Sequence, residues 1–271
     1  EWSVAWGGTE NLWARTILPR IRRFLPAGHI LEIAPGFGRC TQYLVGLCKR
    51  LSAVDLTEKC VEACRERLKD YPHARFYVND GKSLDMIEDG SIDFVFSWDS
   101  LVHVEKDVME AYLKAISCKL KPGGFGFLHH SNMGYYLDET TGKLTAENRH
   151  WRGENMTADL FRSFCKESGL RCIYQEIVAW GGKVLNDCMS IFMKDPMGRQ
   201  DDTVIVINSD FMLESNGSRD VPEIYSRPLP SIPKNFMDKN SCLTQSGSRD
   251  LSAHGEEKAP KNELTDAIAQ K

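Results

Sequence analysis

Short apolar segments alternate, along the first half of the chain, with longer stretches that repeat hydrophobic residues every three or four positions. The apolar segments predict buried strands at residues 29–34, 51–56, 74–78, 91–97 and 125–129. The periodic stretches predict helices at 39–49, 57–69 and 105–120, and a short one near Leu84. Strands that alternate with helices are typical of a parallel sheet covered by helices on both faces.

This alternation stops after His130. Residues 131–156 are polar and aromatic without a clear period, and a helix is predicted over 157–168. Two strands follow, at 171–178 and 187–193. Because only a short glycine-containing turn separates them, they are expected to pair antiparallel at a sheet edge. The predicted fold class is therefore α/β, a doubly wound and mostly parallel sheet with an antiparallel edge hairpin.

The two ends of the chain differ from this central unit, which is predicted to span residues 29–195. Residues 1–28 form an N-terminal lead whose spacing suits an amphipathic helix broken or kinked at Pro19, with a basic face that we expect to be solvated. Residues 196–213 could add one strand, at 203–207. Residues 214–271 are dominated by Ser, Asn, Gly, Pro and mixed charges, a composition that predicts a disordered tail.

Composition excludes several classes of protein. The 271 residues carry a net charge of -4, which gives no reason to expect a nucleic acid as partner. A membrane partner is not expected either, since no run of about 20 apolar residues is present. The nine cysteines contain no CxxC pair and are expected to be reduced, which favours a cytoplasmic location. The sequence does not indicate an oligomeric state.

Candidate chemistry begins at a glycine-rich turn that follows the first strand and precedes a helix, Ala34-Pro35-Gly36-Phe37-Gly38. Glycines in such a turn let a ligand approach the backbone closely. Asp55 ends the second strand, where an acid can bind ribose hydroxyls, and Asp80 with Gly81 follows the third. These loops lie at the carboxyl ends of parallel strands, which is where open α/β sheets bind ligands.

With these motifs the chain resembles the class I S-adenosylmethionine-dependent methyltransferases over about residues 25–195. Residues 32–38 are similar to the family's acid-x-Gly-x-Gly-x-Gly loop, residues 97–103 to the loop after its fourth strand, and 121–124 to its Lys-Pro-Gly-Gly turn. The resemblance implies a Rossmann-like methyltransferase sheet, a methyltransferase (EC 2.1.1.-) and S-adenosyl-L-methionine as cofactor. It also implies a set of cofactor-binding residues, namely Glu32, Ala34, Gly36, Gly38, Asp55, Asp80, Gly81 and Ser97.

One position departs from the family pattern. Ala34 stands where the first glycine of the loop is expected. A methyl group is tolerated there if the φ angle of Ala34 stays negative.

The resemblance implies an in-line displacement, for which a hydroxyl acceptor needs a base. The candidate catalytic residues are His103, His129, His130 and Asp99, because histidine titrates near neutral pH and Asp99 precedes His103 by one helical turn. Adjacent strand residues point to opposite faces, so only one of His129 and His130 is expected to enter the cleft. These residues could alternatively ligate a metal, although their spacing matches no established metal signature.

Residues 131–156 are interpreted as a substrate lid, because long loops in compact domains are often functional. Their aromatic and hydrogen-bonding side chains suit a small or carbohydrate-like acceptor, with Asn132, Tyr135, Trp151 and Arg152 as the candidate substrate-binding residues. The histidines, and the absence of an Asn-Pro-Pro-aromatic motif after the fourth strand, favour methylation at oxygen.

Two alternatives remain at this point. A nicotinamide-dependent oxidoreductase shares the glycine-rich turn and the distal acid. The Asp80-Gly81 loop, the Lys-Pro-Gly-Gly turn and the closing hairpin argue against that class. A non-catalytic scaffold that binds the cofactor and uses its tail to recruit a partner is the second alternative.

Overall fold

The computed structural model of the chain describes residues 3–200 and 202–229. Its helices are α1 (Thr9–Leu12), α2 (Leu18–Ile21), α3 (Thr41–Leu44), α4 (Glu58–Arg67), α5 (Lys106–Lys119) and α6 (Ala158–Glu167). Its strands are β1 (Ala27–Ile33), β2 (Cys48–Asp55), β3 (Ala74–Val78), β4 (Ile92–Ser97), β5 (Leu120–Ser131), β6 (Leu137–Asp138), β7 (Lys143–Leu144), β8 (Arg171–Val178), β9 (Asp187–Met193) and β10 (Val204–Asn208).

The main sheet has the strand order β10-β8-β9-β5-β4-β1-β2-β3, and β6 pairs with β7 separately. Strands β1 to β5 pair in parallel, β9 runs antiparallel to both β5 and β8, and β10 is parallel to β8. The predicted mostly parallel sheet with an antiparallel hairpin is confirmed. Because β9 runs against its neighbours, its first residue lies at the edge where the parallel strands end.

Both faces of the sheet are buried at its central strands, which explains why those strands are continuous apolar runs. On one face Leu31 and Val95 pack with Leu113 of α5 and Phe161 of α6. On the other face, the core cluster includes Ile30, Phe96 and Trp6 together with other N-terminal and C-terminal residues. No helix among the described residues is long and apolar enough to cross a membrane.

Three predicted helices differ from the structure. A π-helical turn (Trp13–Ile17) joins α1 to α2, so the chain continues through Pro19 instead of breaking there. The helix predicted at 39–49 is only α3 and a following 3-10 turn, after which β2 begins at Cys48. The helix predicted near Leu84 is wrong: Asp80 Oδ1 accepts hydrogen bonds from the amides of Lys82 and Ser83, which favours turns there.

Arg20, in α2, is fully buried, although the basic face of this segment is expected from sequence to be solvated. Its guanidinium forms two hydrogen bonds to Glu176 of β8, at 2.9 Å each, and two to Glu214, at 2.8 Å each. Asn208 and Tyr225 donate further hydrogen bonds to Glu176, both at 2.7 Å. This buried group, which we call the Arg20 network, joins the N-terminal helices to the sheet and to the C-terminal segment.

The Arg20 network corrects the prediction for the tail. Residues 204–208 form β10, and residues 211–216 and 223–226 form 3-10 helices that bury Phe211, Ile224 and Tyr225. The disorder predicted for 214–271 is therefore wrong for residues 214–229, because buried charges and aromatic rings hold this polar segment. Residues 230–271 lie outside the described residues.

Replacing Arg20 is expected to destabilise the fold strongly. In Arg20→Met two buried carboxylates lose their counter-charge, and breaking a buried pair in this way typically costs about 3–5 kcal/mol. Urea denaturation measures this loss. Arg22→Met, at an exposed arginine of the same segment, is the control and should change the free energy of unfolding by less than about 0.5 kcal/mol. Equal stability of the two variants would contradict the role of the network.

Candidate functional site

The glycine-rich loop after β1 has an unusual backbone. Gly36 and Gly38 have φ angles of 56° and 78°, a region that glycine enters easily. A methyl group added at Gly36 would meet nothing within 4 Å, so the loop borders open space at that point. At Gly38 the same addition would lie 3.2 Å from the Sγ of Cys64 in α4. The second glycine therefore lets α4 pack closely against the loop.

Ala34 also has a left-handed backbone, with φ of 55°, so the condition under which a methyl group is easily tolerated at this position is not met. An alanine pays a steric cost of roughly 1–2 kcal/mol in this region. Two hydrogen bonds hold it there: its amide donates to Val54 of β2 at 2.8 Å, and its carbonyl accepts from the Ser100 hydroxyl at 2.9 Å. The loop keeps the shape of a glycine loop although the first glycine is absent.

Asp55 ties the end of β2 to this loop. Its Oδ2 accepts a hydrogen bond from the Gly36 amide at 3.0 Å, and its Oδ1 accepts from the Thr57 amide at 3.0 Å. Burial raises the pKa of Asp55, and the hydrogen bonds from Thr57 and Gly36 oppose that rise. Asp55 therefore both shapes the glycine loop and keeps a carboxylate at the ligand edge of the sheet.

Glu32, near the end of β1, is buried. Within the described part of the chain its Oε2 finds no hydrogen-bond partner. Burial raises the pKa of Glu32 to about 8, and the charge of Asp55 adds to this effect. A buried carboxyl oxygen without a partner is costly, so a donor group from a ligand would stabilise Glu32 here.

The ends of β3 and β4 contribute the other predicted cofactor residues. Asp80 is exposed, and its Oδ1 caps the turn that follows. Gly81 has a φ of 80°, and its amide donates a hydrogen bond to Asn79 Oδ1 at 3.2 Å. The hydroxyl of Ser97 and the indole nitrogen of Trp98 are buried and meet no partner among the residues that the structure describes. Unsatisfied polar atoms thus collect at the ends of β1 and β4.

Asp99 directly follows these residues and has a left-handed backbone, with φ of 55°. Its Oδ2 lies 3.2 Å from a guanidinium nitrogen of Arg39, which follows the glycine loop, and its Oδ1 lies 3.8 Å from Arg152 of the predicted lid. The carboxylate of Asp99 therefore lies between the glycine-rich loop and the predicted lid.

His129 lies in β5 and is fully buried beside Trp98 and Trp180, whose ring centroids are 4.7 and 5.3 Å from its own. Its Nδ1 accepts a hydrogen bond from the Asp99 amide at 3.2 Å. Since a backbone amide can only donate, the ring proton is on Nε2, which donates to Asp187 Oδ2 at 3.0 Å. Both nitrogens of His129 are therefore used within the protein.

Asp187, the first residue of β9, is the charged centre of this region. Arg152 binds its carboxylate with two hydrogen bonds, from Nε at 2.8 Å and Nη2 at 2.7 Å. Burial alone would raise the pKa of Asp187, but the charge of Arg152 and the hydrogen bond from His129 outweigh it and hold the pKa at about 2. Asp187 is thus ionised at all ordinary pH values.

His130 points to the other face of β5, as expected for its neighbour in a strand. It is fully buried, and its ring stacks on Phe161 with a centroid distance of 4.3 Å. Its Nδ1 donates to the Ser131 carbonyl at 2.9 Å, and its Nε2 accepts from the Ser190 hydroxyl at 2.8 Å. Burial lowers the pKa of His130 to about 3. We therefore assign His130 no proton-transfer role.

His103 lies in the 3-10 turn after β4 and is partly exposed. Its Nδ1 donates to the Trp151 carbonyl at 2.8 Å. Trp151 has a left-handed backbone, with φ of 49°, and its side chain is 66 % exposed. Both properties are unfavourable for an aromatic residue in isolation, which indicates that surrounding contacts impose them.

Those contacts hold the end of the predicted lid against the loop after β4. The Gly153 amide donates to the Val102 carbonyl at 2.9 Å, and Glu105 accepts from the amides of Glu154 and Asn155, both at 3.0 Å. A methyl group added at Gly153 would lie only 2.1 Å from the Val104 carbonyl oxygen. Only glycine permits this close approach of the two loops.

The other predicted substrate residues differ from one another in placement. Tyr135 is 74 % exposed. Asn132 is buried, and its amide group accepts from Ala158 and donates to the Leu185 carbonyl, both at 2.9 Å. The polar atoms of Asn132 therefore serve to hold α6 and the loop before β9, and Arg152 is likewise buried against Asp187.

The residue-by-residue reading of the sequence missed Asp187, Trp180 and Arg39. The signal for Asp187 was an acid at the start of a strand predicted to be antiparallel, because such a strand begins at the edge where parallel strands end.

Within residues 3–200 and 202–229, no group of three or more His, Cys, Asp or Glu side chains is arranged to hold a metal ion.

Comparisons with known proteins agree with this geometry. A family model described as "Methyltransferase domain" matches residues 30–124. Phosphoethanolamine N-methyltransferase 1 of Triticum aestivum is 32 % identical over 118 residues, which are 42 % of this chain and 24 % of that protein. The chain thus spans about a quarter of the length of this relative.

Two solved structures show the same fold. An S-adenosylmethionine-dependent methyltransferase from Clostridium acetobutylicum is 16 % identical, with a TM-score of 0.52, over 66 % of this chain and 89 % of that one. Another from Methanosarcina mazei is 17 % identical, with a TM-score of 0.50, over 65 % and 96 %.

Glu32 is expected to make stability depend on pH. The unfolded chain loses this proton near pH 4.5, whereas the folded protein keeps it up to about pH 8. Stability contributed by the buried neutral form is therefore lost progressively as the pH rises through this window. In Glu32→Gln the loss is absent, so the variant should gain on the order of 3 kcal/mol over the wild type between pH 5 and pH 8.5.

Urea denaturation of both proteins at the two pH values tests this. Glu62→Gln, at an exposed position of α4, controls for the removal of one carboxylate. A stability difference between Glu32→Gln and wild type that stays constant with pH would show that Glu32 titrates normally.

Proposed function

We propose that this chain, whose residues 30–124 are a class I S-adenosylmethionine-dependent methyltransferase domain, transfers a methyl group to a hydroxyl oxygen of a small or carbohydrate-like acceptor. The observation that carries the proposal is the position of Asp99. Its carboxylate lies between Arg39 of the cofactor loop and Arg152 of the lid. An acceptor that donates a hydrogen bond to Asp99 from a hydroxyl other than the one methylated would lie beside the cofactor loop and under the lid, and its reacting hydroxyl would keep its proton for the base.

The residues at the carboxyl edge fit S-adenosylmethionine, the cofactor of this domain family. Its amine and hydroxyl donors match the unsatisfied Glu32 Oε2 and the carboxylate of Asp55. The open space at Gly36 leaves room for it along the loop. Gly38 and Ala34 shape the same loop, and Asp80, Gly81 and Ser97 border the site from the ends of β3 and β4.

The cofactor and the protein would supply different parts of the reaction. The cofactor supplies a methyl group on a positively charged sulfur, which leaves as a neutral thioether when a carbon–oxygen bond forms. The protein positions the acceptor in line with that group, and positioning alone can supply an effective molarity of about 10⁵ M or more. A residue must also take the proton of the acceptor hydroxyl.

Of the three candidate histidines, His103 is the base we propose. His129 and His130 are fully buried, and each uses both of its nitrogens in hydrogen bonds within the protein. His103 is partly exposed at the lid. Its donation from Nδ1 to Trp151 makes Nε2 the basic nitrogen of the neutral ring.

The acceptor class is proposed from two exposed aromatic side chains of the predicted lid. Trp151 and Tyr135 are largely exposed, and the backbone of Trp151 is strained in a way that hydrogen bonds to neighbouring loops maintain. Large exposed aromatic surfaces next to a site are typical of ligand contacts. They suit the flat apolar faces of a sugar or another small ring.

The nicotinamide-dependent alternative is not favoured, because the family match and both structural relatives are methyltransferases. An amine acceptor remains the contrasting outcome of the test below, since the wheat relative is named as an N-methyltransferase. An amine acceptor would need no base from the protein, because it only has to be in its neutral form to react.

A search for the methylated product tests the proposed function. The protein is incubated with S-adenosylmethionine that carries a ¹³C-labelled methyl group and with a small-molecule extract, and labelled products are identified by mass spectrometry and NMR. We expect a ¹³C-methyl ether. Label on nitrogen or carbon would overturn the assignment to oxygen, and the absence of any labelled product would favour the scaffold alternative.

His103→Asn is expected to lower turnover by about 10²–10⁴-fold, the usual contribution of a general base. Asparagine can still donate a hydrogen bond to the Trp151 carbonyl but has no basic nitrogen. The affinity for S-adenosylmethionine, measured by titration calorimetry, should not change. Turnover close to the wild-type value would exclude His103 as the base.

Asp55→Ala is expected to weaken S-adenosylmethionine binding by about 1–3 kcal/mol, the typical cost of leaving partnered polar groups unsatisfied. The same calorimetry measures it. Asp70→Ala, at an exposed aspartate, should bind the cofactor as the wild type does. An unchanged affinity in Asp55→Ala would remove Asp55 from the cofactor site.

A further inference from the structure

We infer that His129 and Asp187 are positioning residues of the methyl transfer: they hold the backbone and carboxylate of Asp99 in one orientation. This inference rests on the proposed function, in which Asp99 orients the acceptor. His129, a candidate base in the sequence, thereby takes a positioning role, and so does Asp187, which the sequence does not single out.

The geometry forms a closed ring of contacts around Asp99. On one side the Asp99 amide donates to His129, which donates in turn to Asp187 Oδ2. On the other side the Asp99 carboxylate lies 3.8 Å from Arg152, which binds both oxygens of Asp187. Both the main chain and the side chain of Asp99 are therefore connected to the same carboxylate.

The strain at Asp99 shows why such a ring is needed. An aspartate at φ of 55° is in a sparsely populated backbone region, and residues persist there only when their surroundings impose it. The hydrogen bond from the Asp99 amide to His129 requires this orientation of the peptide group. Without an acceptor at the position of Nδ1, the peptide could rotate toward a relaxed conformation and carry the carboxylate away from Arg39.

Asp187 determines which nitrogen of His129 carries the proton. Because an ionised carboxylate can only accept, Nε2 donates to Asp187 and Nδ1 stays an acceptor for the Asp99 amide. The rings of Trp98 and Trp180 pack against the imidazole and against each other, and they restrict its rotation. His129 is thus held in the tautomer and orientation that Asp99 needs.

Two variants separate positioning from proton transfer. In His129→Asn the side-chain oxygen can take the place of Nδ1 and accept from the Asp99 amide. In His129→Gln the longer side chain places its amide near Nε2, which preserves the contact with Asp187 and loses the one with Asp99. Neither residue is a base, and both remove the ring, so the loss of packing is similar in the two variants.

The first measurement needs no acceptor. Hydrogen exchange of the Asp99 amide, followed by NMR, should stay within about threefold of wild type in His129→Asn and become at least tenfold faster in His129→Gln. Equal exchange rates in the two variants would overturn the inference. This result is independent of whether the protein methylates oxygen, nitrogen or nothing.

The second measurement uses the transfer of the ¹³C-methyl group. His129→Asn should keep kcat within about threefold of wild type, whereas His129→Gln should lose at least tenfold, with the Kd of S-adenosylmethionine unchanged in both. An equal loss of kcat in the two variants would overturn positioning and indicate a base or a packing role. Thermal unfolding of both variants checks that their stabilities match.

Discussion

The ion pair between Asp187 and Arg152 connects the elements that surround the proposed acceptor side of the site. Arg152 comes from the lid, Asp187 from the first residue of β9, and His129 from β5. A carboxylate with such partners is buried at a cost that only paired charges and hydrogen bonds can offset. The lid, the loop after β4 and the hairpin therefore take their relative positions from one buried charge, and the exposed Trp151 depends on it through its neighbour in sequence.

The residues that we propose for the cofactor could be selected from the sequence because their signals are local. Glu32, Gly36 and Gly38 lie within one loop, and Asp55 follows a recognisable strand. Strand direction then brings the ends of β1 to β4 to one edge without any knowledge of packing. The predicted fold class is confirmed for this reason, and the methyltransferase family model matches residues 30–124, where these residues lie. Ala34 shows the limit, since the φ angle of a single residue depends on hydrogen bonds to β2 and Ser100 that the sequence does not reveal.

The acceptor side could not be predicted in the same way, because its contacts join residues far apart in the chain. Arg152 and Asp187 are 35 positions apart, and His129 and Asp187 are 58 apart. A histidine pair at the end of a strand looks the same in sequence whether its rings face a cleft or a core. Packing distinguishes the two rings: His130 stacks on Phe161, whereas His129 packs against Trp98 and Trp180. Both rings are fully buried.

The Arg20 network has a consequence for where the domain ends. The family resemblance stops near residue 195, yet Glu214 binds the Arg20 guanidinium, and Asn208 and Tyr225 donate hydrogen bonds to its other partner, Glu176. A chain cut at 195 would leave Arg20 with one carboxylate and remove the aromatic cover from Trp6, which contacts Phe211 at a centroid distance of 5.2 Å. The smallest autonomous folding unit is therefore larger than the methyltransferase core, and its C-terminal boundary falls no earlier than Tyr225.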